Sequence, residues 1–228
     1  MLEAAYGAGM MSEGGTLAID KMLSNVDLND SRICDLGCGL GGATFYIANE
    51  YNCHVTGLEI NKNMIIHAKH VLASTNNADQ VDFKVYSPPK LPFDDSSLDV
   101  IFSKGVLVHE KHKTALFKDI YRALKPGGKL IIDDWLSPES GKWGADIQEL
   151  CDLEGLMLHA ETEEDYINHL QSANFTDIRA KEMNCDYYDY NLSVVAHLKE
   201  SKTKQDFERM FGKKHYDESI QGYELIAT

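Results

Sequence analysis

The sequence predicts a single α/β domain in which helices cover both faces of a mainly parallel β-sheet. Short β-branched runs alternate along the chain with longer amphipathic segments, as expected of repeated strand–helix units. The first predicted strand is followed by a glycine-rich loop and then by a helix, an arrangement that places a ligand at the carboxyl end of a strand. With 228 residues, of which 43% are hydrophobic, the chain is long enough to bury the core of one such domain.

The predicted elements follow this alternation from one end of the chain to the other. Strands are predicted near 32–36, 54–59, 81–85, 98–103, 128–134, 176–183 and 221–227. Helices are predicted near 15–24, 42–51, 62–73, 112–124, 143–158, 163–173 and 191–210. Residues 1–228 are interpreted as one domain, with residues 135–175 as an inserted helical cap.

The acidic composition argues against a nucleic-acid partner. The formal net charge is −14 at pH 7, whereas binding to a phosphate backbone needs a face rich in lysine and arginine. No segment approaches the roughly 20 apolar residues of a membrane-spanning helix, and the N-terminus lacks the basic-then-apolar pattern of a secretion signal. We therefore expect a cytoplasmic protein without a membrane span.

The cysteine and histidine spacings predict neither disulfides nor a metal site. Five cysteines, at positions 34, 38, 53, 151 and 185, form no Cys-x-x-Cys pair, and their odd number suits a reducing compartment. His109 and His112 have two residues between them, where the helical zinc motif has three.

The segment from Ile33 to Gly42 carries the most information about a ligand. Gly37, Gly39 and Gly42 satisfy the dinucleotide spacing, so a nicotinamide cofactor has to be considered. Asp35 stands two residues before these glycines, and its carboxylate would repel a pyrophosphate but attract an α-ammonium group. S-adenosylmethionine carries such an ammonium, and the loop therefore favours this cofactor.

A second acidic residue, Glu59, ends the next predicted strand, seventeen residues after the last glycine of the loop. A carboxylate at this position can accept both ribose hydroxyl protons. Because this applies to nicotinamide cofactors as well, it indicates a nucleoside only. Ligands in open α/β sheets bind beyond the carboxyl ends of the strands, so Ser87, Lys104 and Trp135 are predicted to line the same site.

These motifs resemble those of the Rossmann-like S-adenosylmethionine-dependent methyltransferases. The acid-x-Gly-x-Gly-x-Gly loop of that family is matched by Asp35, Gly37, Gly39 and Gly41, and residues 30–134 follow the family order of elements. The resemblance implies a sheet of seven strands, mostly parallel with one antiparallel strand. It also implies direct displacement of the methyl group, with S-adenosylhomocysteine as the product.

Within that superfamily, residues 6–15, His109 and the tail from Trp143 look most like the phosphoethanolamine and related small-amine N-methyltransferases. This likeness implies that an N-terminal segment closes over the cofactor. Ser87 stands where the family usually has an aspartate that accepts the adenine amino proton. The expected cofactor-binding residues are Met11, Ser12, Asp35, Gly37, Gly39, Gly41, Glu59, Ile60, Ser87, Pro88 and Lys104.

His109 is the predicted catalytic residue, because it follows the strand predicted at 98–103 by a short loop and a neutral imidazole suits amine deprotonation near pH 7. In the resembling enzymes a histidine works with a tyrosine that has no counterpart ahead of Met1. Tyr6 matches a different aromatic position of that family. Gly105 stands where those enzymes carry an acid that helps to hold the substrate.

Acidic and aromatic residues also gather after the sixth predicted strand, at Asp186, Tyr187, Tyr188 and Tyr190. Their charge and ring faces suit a cationic head group. Packing of a strand end against the cap explains the same residues.

The sequence thus predicts an enzyme that methylates a small-molecule acceptor, with an amine such as phosphoethanolamine, glycine or sarcosine as the expected substrate. Three alternatives stay open: O- or C-methyl transfer to another metabolite, a nicotinamide oxidoreductase, and a cofactor-binding protein without turnover. The acceptor and the oligomeric state are not determined by the sequence.

Overall fold

The computed structural model describes residue 3, residues 6–75 and residues 79–225. The helices are α1 Gly15–Leu23, α2 Gly42–Tyr51, α3 Lys62–Leu72, α4 Lys113–Ala123, α5 Ala145–Glu154, α6 Glu163–Ser172, α7 Asn184–Lys199, α8 Ser201–Phe211 and α9 Lys213–Leu225. The strands are β1 Arg32–Leu36, β2 His54–Glu59, β3 Val81–Val85, β4 Leu98–Lys104 and β5 Leu124–Asp133. A 3₁₀ turn, Leu107–His109, follows β4.

The strands form one sheet in the order β3-β2-β1-β4-β5, and every pairing is parallel. This confirms an α/β fold with a parallel sheet. The register places Asp35 in β1 between Gly57 in β2 and Phe102 in β4. The carboxyl ends of three central strands therefore meet at one edge, where the glycine loop begins.

Side chains from alternate positions of the central strands enter two separate cores, as the two-residue period of a strand requires. Ile33 and Val55 pack with residues of α1, α2 and α3 on one face of the sheet. Cys34 and Ile101 pack with residues of α4 and α6 on the other face. Helices thus cover both faces, as predicted.

The prediction of seven strands, one of them antiparallel, is wrong for the part of the chain that the structure describes. Residues 176–183 form no strand, because Asp177 has a φ of +52° and pairs with Arg179 through a local salt bridge of 3.0 Å. Ile178 and Met183 are only partly buried. Without a continuous apolar face, this segment gains too little from packing to form a strand.

The strand predicted at 221–227 is also wrong as far as residue 225, which ends α9, and residues 226–228 lie outside the described part. The first turns of α9 carry two ion pairs at helical spacing, Lys213 with Asp217 and Lys214 with Glu218. Packing of Tyr216 against α8 then favours the helix over the β propensity of the residues that follow.

A single helix predicted over 191–210 is instead two helices, α7 and α8. Glu200 separates them with a ψ of 135°, which interrupts the helical hydrogen bonding. These two helices form a third core with α9. The proposed cap at 135–175 contains α5 and α6, and its status as an insertion in one domain stays a prediction.

Strand β5 has an irregular start. Its register against β4 shifts between Leu98 and Val100, where Leu124 and Lys129 are the partners. Pro126 lies inside this bulge, the position in which a strand tolerates a residue without an N–H group.

Among the described residues, the helices are too short or too polar to cross a lipid bilayer.

Candidate functional site

The glycine loop between β1 and α2 is shaped by residues with positive φ. The φ angles are +81° at Gly37, +53° at Gly39 and +93° at Gly41, a region that favours glycine. The N–H groups of Gly37 and Cys38 both donate to the carbonyl oxygen of Leu58, at 2.8 and 2.9 Å. The loop is thereby tied to the carboxyl end of β2.

Replacing Gly37 by alanine should cost more stability than replacing Gly127. Both glycines have φ near +80°, but a Cβ at Gly37 would lie 2.3 Å from a Val106 methyl group, whereas a Cβ at Gly127 would meet nothing within 4 Å. We expect a loss of about 2–5 kcal/mol for Gly37→Ala and about 1–2 kcal/mol for Gly127→Ala. Urea unfolding measures both values, and equal losses would contradict the steric role of Val106.

Asp35 lies beneath the loop rather than at its surface. Its side chain is 2% exposed, and its carboxylate accepts a hydrogen bond of 2.6 Å from the Thr44 hydroxyl in α2. Burial raises the pKa of the Asp35 carboxyl to about 6, and the negative charge of Glu59 adds to the increase. The site therefore holds a carboxyl group that a nearby cation would ionise.

Glu59 ends β2 beside the same loop. One carboxylate oxygen accepts the N–H of Gly39 at 3.2 Å, and the other accepts the N–H of Asn61 at 2.9 Å. A carboxylate has about four acceptor positions. Glu59 is partly exposed, so it can accept further hydrogen bonds from a ligand.

Ile60, Ser87 and Pro88 lie in the two turns that follow β2 and β3. The chain is joined there by a hydrogen bond of 3.1 Å from the Tyr86 N–H to the Glu59 carbonyl. Ser87 and Pro88 are exposed, and the large side chain of Ile60 is 61% exposed. An exposed apolar side chain beside Glu59 suits a flat ring, in agreement with the sequence prediction for these residues.

The N-terminal segment crosses the loop and is fastened at two places. Gly42 donates its N–H to the Gly9 carbonyl at 3.1 Å. A Cβ at Gly39 would lie 2.9 Å from the Met11 side chain, so Met11 covers the loop. This arrangement agrees with the expected placement of residues 11 and 12 over the cofactor site.

Lys104, at the end of β4, forms the second fastening. Its ammonium donates to the Ser12 hydroxyl at 3.0 Å and to the Glu13 carbonyl. It also lies 3.7 Å from the Asp133 carboxylate and 5.4 Å from the centre of the Tyr187 ring. Lys104 thus holds the N-terminal segment against the ends of β4 and β5.

His109 ends the 3₁₀ turn after β4 and is exposed. Its Nδ1 lies 3.2 Å from the carbonyl oxygen of Met157. A carbonyl only accepts hydrogen bonds, so this contact assigns the proton to Nδ1 and leaves the Nε2 lone pair free. The imidazole is therefore held in the tautomer that can accept a proton through Nε2.

Two polar contacts of this region were missed by the sequence reasoning. The Trp135 indole donates to the Glu13 carboxylate, and the Tyr187 hydroxyl donates to Asp133. Burial, followed by the charge of Asp133, raises the pKa of the Tyr187 hydroxyl. These four residues line a groove of about 2380 Å³ along β5.

The predicted group at 186–190 is only partly brought together. Asp186 pairs with Lys21 at 2.7 Å, away from the Asp133 contact, and Tyr188 is 44% exposed. Tyr190 stacks on Tyr6 with ring centres 6.2 Å apart. Among the described residues, no group of three or more metal-binding side chains occurs.

Comparisons with known proteins give one consistent result. The family described as "Methyltransferase domain" matches residues 27–215. Phosphoethanolamine N-methyltransferase of Plasmodium falciparum is 30% identical over 217 residues, which cover 94% of this chain and 79% of that protein. The Triticum aestivum enzyme of the same name is 31% identical over 223 residues, 97% of this chain and 43% of its own length. This chain spans about half the length of most of the curated relatives it matches.

The fold is shared with a solved structure from Haemonchus contortus, phosphoethanolamine N-methyltransferase 2 in complex with phosphomonomethylethanolamine and S-adenosylhomocysteine. The two chains superpose with a TM-score of 0.87 at 25% identity, covering 99% of this chain and 52% of that one. A putative sarcosine dimethylglycine methyltransferase from Galdieria sulphuraria has the same fold, with a TM-score of 0.75 at 20% identity over 93% of this chain and 76% of that one.

Proposed function

Because the chain belongs to the methyltransferase domain family, which matches residues 27–215, we propose that it transfers a methyl group from S-adenosylmethionine to the nitrogen of a small amine. The observation that carries the proposal is the free Nε2 of His109, held by the Met157 carbonyl at the end of β4. A base in this position can remove a proton from an amine bound next to the glycine loop.

The residues around the loop fit S-adenosylmethionine by their chemistry. The Glu59 carboxylate keeps acceptor positions for the two ribose hydroxyls. The glycine loop and Asp35 receive the methionine end, whose ammonium complements the buried carboxyl group. Ile60, with Ser87 and Pro88 in the neighbouring turn, borders the adenine ring, and Met11, Ser12 and Lys104 close the site.

The protein's contribution to the reaction is positioning and proton removal. When bound, S-adenosylmethionine supplies the electrophilic methyl group and leaves as S-adenosylhomocysteine. The chain holds the acceptor nitrogen in line with that methyl, an effect worth about 7–11 kcal/mol in favourable intramolecular reactions. His109 Nε2 takes the amine proton, which exposes the nitrogen lone pair.

The acceptor class follows from the relatives and from the groove. Curated relatives are named phosphoethanolamine N-methyltransferase, and one is named glycine/sarcosine/dimethylglycine N-methyltransferase. The groove beside Glu13 and Asp133 has ample volume for a small amine. A nucleic-acid acceptor is disfavoured by the net charge of −14, and the free cysteines suit the cytoplasm.

Methyl transfer from labelled S-adenosylmethionine to a panel of amines and phenols tests the proposal. We expect label in at least one of phosphoethanolamine, glycine or sarcosine, and none in the phenols. Calorimetric binding of the cofactor without transfer to any acceptor would refute an enzymatic role. Label found only in phenols would refute N-methylation.

The affinity for S-adenosylmethionine should rise as the pH increases from 5 to 7. The pKa of Asp35 is raised to about 6 in the free protein, and a bound ammonium favours the ionised form. Below pH 6, binding must therefore release a proton from Asp35, which weakens it. We expect a Kd about tenfold lower at pH 7 than at pH 5, measured by calorimetry in buffers of different ionisation enthalpy.

The matched variant for this experiment is Asp35→Asn, which removes the titrating carboxyl and keeps its shape. Its Kd should vary little over the same pH range and should be higher at pH 7. A steep pH dependence that persists in Asp35→Asn would assign the effect to another group.

A further inference from the structure

We propose that Lys113, Asp134, Glu161 and Tyr166, named here the Tyr166 network, position the His109 imidazole for proton transfer. The inference rests on the role given to His109 above. None of the four side chains is placed against the acceptor, so they act through the backbone of the 3₁₀ turn. Three groups of contacts support it.

The first group holds the residue before His109. Asp134 follows β5, and its carboxylate accepts the Val108 N–H and the Tyr166 hydroxyl, the latter at 2.8 Å. Tyr166 lies in α6 and is 7% exposed. Its hydroxyl thereby fixes the carboxylate that binds the turn.

The second group holds the residue after His109. The Lys113 ammonium donates to the Glu110 carbonyl at 2.8 Å. Its side chain is 0% exposed, lies 3.2 Å from a Glu161 carboxylate oxygen, and lies 5.3 Å from the centre of the Tyr166 ring. The backbone on both sides of His109 is therefore tied to one set of charged groups.

The third group connects the same set to the imidazole itself. The segment that ends at Glu161 also contains Met157, whose carbonyl contacts His109 Nδ1 at 3.2 Å. In that segment, His159 donates its N–H to the Val108 carbonyl at 2.8 Å. A shift of the turn would lengthen the contact with Met157, which selects the tautomer.

A gain in stability does not account for such a network. A buried ion pair is often no more stabilising than apolar side chains of the same volume. Burial raises the pKa of the Asp134 carboxyl to about 7 and also raises the pKa of Tyr166, which shows that charge is held there at a cost. The geometric effect on the turn is what these contacts provide.

The test compares two tyrosine-to-phenylalanine variants, each of which removes a hydroxyl that donates to a carboxylate. Tyr166→Phe breaks the bond to Asp134 and keeps the ring against Phe117. Tyr46→Phe is the control, because its hydroxyl binds Asp20 at 2.8 Å on α1. We expect Tyr166→Phe to lower kcat for the amine about tenfold and to leave the Kd for S-adenosylmethionine within twofold. Tyr46→Phe should change neither.

The second readout is the tautomer of His109, measured by nitrogen NMR without turnover. Wild type and Tyr46→Phe should carry the proton on Nδ1, whereas Tyr166→Phe should shift it towards Nε2. Asp134→Asn should change the tautomer at least as much as Tyr166→Phe does. An unchanged tautomer in both network variants would overturn the proposal, as would an equal loss of kcat in Tyr46→Phe.

The two proposals fail in different ways. If wild type methylates no amine, the proposed function fails, and the nitrogen shifts still decide whether the network positions His109. If wild type methylates an amine while Tyr166→Phe keeps its kcat and tautomer, only the positioning proposal fails.

Discussion

Replacing His109 by alanine is expected to lower the turnover of the amine by about 10²–10⁴-fold, the usual contribution of a general base. The variant loses the Nε2 lone pair that the Met157 contact leaves free. Because His109 lies beyond the glycine loop, the Kd for S-adenosylmethionine should stay within about threefold of the wild-type value. Steady-state kinetics with saturating cofactor, together with calorimetry, measures both quantities.

The control for this variant is His112→Ala, three residues further along the chain. His112 is also exposed and directly precedes α4, so its loss should leave turnover near the wild-type value. The decline in kcat at low pH should disappear in His109→Ala and persist in His112→Ala. Equal turnover in His109→Ala and wild type would remove His109 from the chemistry.

Replacing Glu59 by alanine is expected to weaken S-adenosylmethionine binding more than tenfold, equivalent to about 1.4 kcal/mol or more. The change removes the acceptor for the ribose hydroxyls and also the bond that holds the Gly39 N–H at 3.2 Å. Calorimetry measures the effect. Glu59→Gln, which keeps the shape but not the charge, should fall between wild type and alanine.

An acidic residue on the neighbouring helix provides the comparison. Glu50 in α2 is exposed, and Glu50→Ala removes the same charge without touching the loop. Its Kd should match wild type. A Glu59→Ala variant with wild-type affinity would show that the ribose is held elsewhere.

The five central strands could be predicted because their evidence is local. Each consists of a short β-branched run whose carboxyl end meets a turn, as in β1 before Gly37 and β2 before Asn61. Parallel strands between helices are buried on both faces, and their apolar runs are therefore nearly continuous. This pattern does not depend on knowing which strand lies beside which.

The two additional strands failed because a strand needs a partner that sequence pattern cannot supply. Residues 176–183 contain alternating apolar positions, yet Asp177 with its positive φ and Arg179 keep the segment irregular. In α9, ion pairs four residues apart and the packing of Tyr216 decided the outcome. Tertiary contacts override weak propensity in both places.

The site divides in the same way. Gly37 and Glu59 could be predicted, since the spacing of a turn and a strand end is written along the chain. Lys104 was predicted to line the site, but its contacts with Ser12 and Asp133 join three distant segments. Nothing in the local sequence indicates that the end of β5 meets the N-terminal segment.

Strand β5 pairs on one side only within the described residues, so its other side presents a row of backbone groups that could template a strand from another molecule. Pro126 interrupts that row where it lacks an N–H group, and Lys125 and Lys129 place positive charges beside it. The irregular start of β5 therefore discourages self-association of the sheet while leaving its carboxyl end regular for the site.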